Sequence, residues 1–337
     1  MRRRACLLAT MGLGLVLLGS RAVAGPPRSL TLVRDLPLPG RCSRFDYLSI
    51  DPERSRLFLS HMGDGHLLVL DTQRRTVVAD LEGFPDVTGV LAVPELGRVY
   101  VSVPGRRDLA ILDEMSLQVL ARVPTGRFPD GIAYASGAKR VFVSDESRGV
   151  ETVVDAVNNS VVASLDLGGE AGNSQYSRGS GHILVALQTR RELVEIDPKA
   201  LTIVARHPLG IGRGPHGLLV DDPDGLAFVA CEDDAKLLVV GLKDFGIRQA
   251  LATGDDPDVL TWDPRAGRLY VGCESGVISV FELKQGTLAK REDASFGGNC
   301  HVVAWDPAGR LLYVPLEDLN GHPDLRIMAP VLGNKGF

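Results

Sequence analysis

The chain has 337 residues, of which 45% are hydrophobic and 23% charged, with a formal net charge of −5. That balance excludes a disordered chain, supports a sizeable buried core and disfavours bulk attraction to nucleic acid or an anionic membrane. Length alone suggests two domains.

In chain order, Met1-Arg-Arg-Arg4 comes first, then an apolar stretch from Ala5 to Gly19, then Ala22-Val-Ala24. A basic head, a short apolar core and a small-residue site predict a secretory signal peptide over residues 1–24, cut after Ala24. The apolar core is too short to span a bilayer, and no later segment approaches about 20 apolar residues. Cys6 lies inside that core and away from the cleavage point, which argues against a lipid anchor. A periplasmic or secreted protein with no membrane span is expected. Removing the leader takes four arginines and no acid, which leaves 33 basic against 42 acidic side chains, a charge of −9.

Residues 25–337 are expected to form one domain, because a unit of about 42 residues recurs seven times. The strands that follow a tight turn start at Leu57, Val99, Val141, Ile183, Ala227, Leu269 and Leu312, in steps of 42, 42, 42, 44, 42 and 43. An aromatic follows in six of them: Phe58, Tyr100, Phe142, Phe228, Tyr270 and Tyr313; the fourth repeat has Leu184. Asp71, Asp113, Asp155 and Asp197 each close an apolar run, again 42 apart. Four short strands per unit at this period predict an all-β, seven-bladed β-propeller. In the second unit the strands read Val90–Val93, Val99–Val103, Leu109–Leu112 and Val119–Val123. Ser29-Leu-Thr-Leu-Val33 matches Ala200-Leu-Thr-Ile-Val204, the last strand of the fourth unit, whereas the seventh unit lacks a fourth strand. Residues 29–36 are therefore expected to complete blade seven and close the ring. Trp262-Asp-Pro and Trp305-Asp-Pro read as turn starters.

Four cysteines follow the leader: Cys42, Cys231, Cys273 and Cys300. Two readings stand, a Cys273–Cys300 disulfide on the same face of consecutive blades or four free thiols.

At the start of each innermost strand stand Asp46, Gly89 (after Thr88), Asp130, Asn173, His216, Asp258 and His301. At the end of each second strand a carboxylate recurs, as in Asp145-Glu146, Glu232, Glu274 and Glu317. Both sets belong to one face, so a polar funnel is expected there, with Asp46, Asp130, Glu146, Asn173, His216, Glu232, Asp258, Glu274 and His301 as candidate ligand-binding residues. His216, Asp258, His301 and Asp46 come from consecutive blades and form a donor set suited to a divalent metal, with Glu232 and Glu274 orienting the imidazoles. Turn capping by the same Asp, Asn and His residues, and an organic ligand or partner held by the ring, are the other readings. No G-x-S-x-G, H-E-x-x-H, P-loop or C-x-x-C-H is present, so no catalytic residue is assigned.

The units VYVSVPGRRDLAILDEMSLQVLARVPTG (99–126) and VFVSDESRGVETVVDAVNNSVVASLDLGG (141–169) resemble the YVTN-type repeat of the YncE-like propellers. The resemblance weakens in repeats five to seven, where the closing Asp becomes Gly241 or Glu282. It implies an exported seven-bladed propeller. The leading expectation is a non-catalytic, monomeric module that binds a small ligand or a protein partner, not nucleic acid, through the funnel. The alternatives are a metal-dependent hydrolase or lactonase using the His/Asp cluster, and an accessory subunit of a periplasmic redox system.

Overall fold

A computed structural model of the chain describes residues 24–331. Seven four-stranded antiparallel sheets stand in a ring, one per repeat. Blade two consists of Val90–Val93, Arg98–Val103, Asp108–Asp113 and Val119–Pro124, within one residue of the expected bounds.

The recurring aspartate builds the outer hairpin of blades one to four. Asp71 Oδ1 accepts the backbone N–H of Gln73 and Arg74 at 2.9 and 2.7 Å. Asp113, Asp155 and Asp197 do the same for the residues two and three places on. The turn then ends on a left-handed residue, Arg75, Leu117, Asn159 or Leu201, with φ between 53° and 60°. An Asp side chain that mimics a backbone acceptor offsets part of the strain at such a position. Asp263 and Asp306 of the two Trp-Asp-Pro segments start turns in the same way, accepting from Arg265 and Ala266 and from Ala308.

The recurring aromatic joins each blade to the next. Phe58 of blade one packs on Val99 and Val101 of blade two, and Tyr100 packs on Val141 and Val143 of blade three. The series continues with Phe142 on Ile183, Phe228 on Leu269, Tyr270 on Leu312, and Tyr313 back onto Leu57. Blade four uses Leu184 against Ala227 and Val229. All seven are buried, each contributing roughly 2–3 kcal/mol of apolar burial. No blade keeps that surface dry alone, so the ring is one cooperative array.

Leu30–Pro37 pairs antiparallel with His322–Pro330 and completes blade seven, as expected of residues 29–36. Just before it, the N–H of Gly25 donates to Asp293 O, and the Glu292 carboxylate accepts the N–H groups of Arg28 and Ser29. The start of the described chain thus stitches blade six to blade seven. The expected leader lies outside the described residues except for Ala24. Among the described residues no helix is long and apolar enough to cross a membrane.

Cys273 and Cys300 are not joined. They face each other across an isolated antiparallel bridge, yet both thiols are free, as are exposed Cys42 and buried Cys231. Burial pushes Cys273 up to about 12, which withholds the thiolate that disulfide exchange requires.

Candidate functional site: an acidic cup at one mouth of the channel

The innermost strands of blades three to six share a defect. In blade five Pro215 pairs with Cys231 and Leu218 with Val229, so His216 and Gly217 together oppose one residue. The same bulge holds Asp130-Gly131, Gly172-Asn173 and Asp258-Val259. A bulge bends the strand and re-aims its side chain, and here it turns four polar residues toward the axis. Glycine sets how closely adjacent blades approach. A Cβ on Gly217 would lie 1.8 Å from the carbonyl oxygen of Asp258, and one on Gly272 would lie 2.2 Å from that of His301.

The result is a cavity of about 470 Å³ whose lining includes Asp46, Asp130, Glu146, Glu232, Asp258 and Glu274, joined by Asp233 and Asp256. Arg44 is the guanidinium among these eight carboxylates, and His216 the imidazole. Arg44 Nη2 pairs with Glu274 at 2.7 Å. Tyr47 forms the floor. Its hydroxyl lies 3.0 Å from Asp130 Oδ2 and 2.8 Å from the Asn173 side-chain amide, so one side chain from blade one reaches blades three and four. With one phenolic proton, Tyr47 donates to Asp130, and Asn173 is best satisfied with its amide N–H₂ turned to the phenol. Beyond Tyr47 a second cavity of about 250 Å³, lined by Leu48, Ile50, Leu91, Ile132, Trp305 and others, continues along the axis. Asn173 belongs to that side and not to the cup.

The two histidines are held alike. Nδ1 of His216 lies 2.5 Å from Glu232 Oε1, and Nδ1 of fully buried His301 lies 3.1 Å from the carbonyl oxygen of Asn299. Both partners only accept, so Nδ1 carries the proton in each ring. The opposite nitrogens point at one carboxylate: His216 Nε2 is 4.0 Å from Asp258 Oδ1, and His301 Nε2 is 4.0 Å from Asp258 Oδ2. His216 Nε2 also lies 3.7 Å from Asp130 Oδ2. His216 Nε2, His301 Nε2 and Asp258 Oδ1 are buried and have no hydrogen-bond partner.

The electrostatics follow from burial and crowding. Desolvation, and then the charges of Asp130 and Asp258, hold Asp46 well above the ordinary carboxylate range. Burial pushes Asp258 up to about 7 against the pull of His216. Glu146 is raised by burial and by Asp130. Burial favours the neutral His216 ring, but Asp258, Asp130 and Glu232 together outweigh it and raise its pKa well above the usual range. His301, dry and facing Arg44, falls to about 4.

The expected set therefore divides. One donor atom each from His216, Glu232 and Asp258 lie within 4.8 Å of one another, and so do atoms of Asp258, Glu274 and His301. Asp46 lines the cup outside both groups, whereas Glu232 and Glu274 stand at ligand distance. Capping accounts for other members of the two rings. Asp145 accepts the N–H groups of Arg127 and Phe128, and Thr88 Oγ1 donates to the carbonyl oxygen of Pro129. The sequence reading missed Arg44 and Tyr47. Tyr47 was detectable as an aromatic at a register where other blades carry Gly131, Ser174, Gly217, Val259 and Val302.

No protein-family model and no curated protein sequence matches the chain. Its fold is shared with solved structures at low identity. A chain of Kuenenia stuttgartiensis hydrazine synthase is 13% identical, with 88% of this chain and 97% of that one covered at a TM-score of 0.75. A chain of the mitotic checkpoint complex is 14% identical, with 97% and 100% covered at 0.77. The WD40 repeats of RRP9 are 11% identical, with 90% and 100% covered at 0.76. At such identities the likeness is one of fold: a seven-bladed propeller.

Proposed function

We propose that this protein is an exported propeller, kin to the YVTN-repeat proteins, that binds a cationic ligand in its acidic cup without transforming it. The observation that carries this is the imbalance of charge: eight carboxylates face one guanidinium and one imidazole in a half-enclosed cavity. Crowded, partly desolvated carboxylates raise one another's pKa, and a bound cation relieves that repulsion. No serine, threonine, cysteine or lysine lines the cup, and its one hydroxyl, on Tyr47, is engaged with Asp130 and Asn173, which supports binding over covalent catalysis by a hydroxyl, thiol or amine. Kinship rests on residues 99–126 and 141–169. Export rests on the leader pattern of residues 1–24, and a mature mass that starts at Gly25 checks it. One of the fold neighbours is a chain of a larger assembly by name, the mitotic checkpoint complex, which supports a binding role for such a ring.

Calorimetric titration at low salt with spermidine, a small organic polycation, and with Zn²⁺ tests the cup. At least one probe is expected to bind. Spermidine binding is expected to weaken at least tenfold in the Asp130→Asn/Glu146→Gln double variant. Binding of neither probe overturns the proposal, and so does spermidine binding undiminished in the double variant.

A further inference from the structure

Resting on that view of the cup as a cation site, we propose that it holds two neighbouring divalent transition-metal positions that share the Asp258 carboxylate. His216, its ring fixed by Glu232, serves one position; His301 and Glu274 serve the other.

Three observations carry this. First, both imidazoles have their Nδ1–H engaged by an acceptor, Glu232 in one case and the Asn299 carbonyl in the other. A ring held this way presents Nε2 as the ligating atom and is fixed in orientation, as metal-binding histidines are. Second, both Nε2 atoms and Asp258 Oδ1 are buried without a partner, on residues 7%, 0% and 5% exposed. A turn cap would be bonded to local N–H groups; these three atoms make no hydrogen bond. Leaving several such groups dry and unmet is costly, and an ion meets all of them at once. Third, the spacing fits. Each nitrogen stands 4.0 Å from a different oxygen of Asp258, and each triad of donors lies within 4.8 Å. Ligand bonds of about 2.0–2.2 Å place donor atoms roughly 3–4 Å apart around one ion, so small side-chain rotations close either site. The two imidazoles fall in separate triads, which is why one carboxylate bridges two positions.

An imidazole nitrogen in each triad selects the Zn²⁺ class over Mg²⁺ and Ca²⁺, which take oxygen ligands. The positions are unequal. Glu274 is already paired with Arg44, so the His301 position fills second.

Metal-free protein is titrated with Zn²⁺, Ca²⁺ and Mg²⁺ by calorimetry, and with Co²⁺ while the visible ligand-field spectrum is followed. Two Zn²⁺ per chain are expected, and Co²⁺ added to the metal-free protein is expected to fill both positions with a nitrogen–oxygen spectrum and to be displaced by Zn²⁺. His216→Gln is expected to weaken the tight event at least 100-fold, and His301→Gln to remove the weaker one. Thermal melting of each metal-free variant at or above the wild-type midpoint shows that the fold is intact. The proposal is overturned by Zn²⁺ binding no tighter than Ca²⁺, or by Zn²⁺ binding that survives both substitutions. A single ion lost equally from both variants overturns the paired arrangement. Loss of Zn²⁺ with spermidine binding retained removes the metal sites and leaves the cationic cup standing.

Discussion

Glu151 and Asp258 are both carboxyl groups taken out of water in this ring, and their surroundings are opposite. Glu151, at the head of the third strand of blade three, has Ser144 Oγ at 3.0 Å and Ser174 Oγ at 2.9 Å from its two oxygens, and the two hydroxyls lie 2.6 Å apart, so the acid's own proton and the two hydroxyl protons complete three hydrogen bonds. It is a closed set: a buried acid, two donors and no unmatched oxygen on Glu151. Burial raises its pKa to about 8, so at neutral pH it is a protonated acid bonded within the fold. Asp258 has the same burial, but His216 Nε2 and His301 Nε2 stand 4.0 Å away and Oδ1 bonds nothing. The difference separates a polar cluster that completes a blade interface from one that awaits an outside charge.

The largest effect that sharpens this contrast is in the pH dependence of stability. The folded Glu151 pKa lies above the unfolded value of 4.5, so the folded state holds the proton more tightly. Its stabilising contribution is present in full below about pH 4.5 and is lost as pH rises through about 8. Glu151→Gln copies the neutral acid. Between about pH 5 and pH 8.5, urea unfolding of the variant is expected to lose on the order of 3–5 kcal/mol less than wild type. Equal losses would make Glu151 an ordinary ionised carboxylate and erase the contrast.

Smaller is the cost of opening the closed set. Ser174→Ala removes the donor to Glu151 Oε1 and the partner of Ser144, and a drop of about 1–3 kcal/mol in unfolding free energy is expected. An unchanged midpoint would mean that water replaces the hydroxyl. Smallest, and of opposite sign, is Asp258→Asn in metal-free protein at pH 8. Burial and the charges of Glu232 and Asp130 oppose ionisation there, so the neutral amide is expected to melt no lower than wild type, with a gain of up to about 1 kcal/mol. A loss of several kcal/mol would make Asp258 a structural cap and break the comparison from the other side.

How much of this the sequence discloses depends on whether a feature repeats. The hairpin aspartates and the interblade aromatics are needed in blade after blade, so Asp71, Asp113 and Asp155, and Phe58, Tyr100 and Phe142, announce the period and the ring. The polar positions His216, Asp258 and His301 are legible for the same reason, as a register shared by all repeats. The orientation of His216 and Asp258 is not, because it comes from a bulge whose extra residue carries no mark of its own beyond, in blades three to five, a neighbouring glycine at Gly131, Gly172 or Gly217. The non-repeating features are the least visible. Tyr47 meets Asp130 and Asn173, 83 and 126 residues away, and Arg44 meets Glu274 across 230. Those contacts exist only after the ring has closed and brought blade one beside blade seven.

Tyr47 gives the molecule a direction. It lines both the acidic cup and the cavity beyond it, and its hydroxyl reaches from blade one to Asp130 and Asn173 of blades three and four, so the two ends of the propeller's centre are unlike. A cation bound as proposed sits beside the mouth on the cup's face. Whatever settles over that mouth, in the manner of a stopper on a flask, therefore governs how long the cation stays, while the opposite face is left free for an unrelated contact.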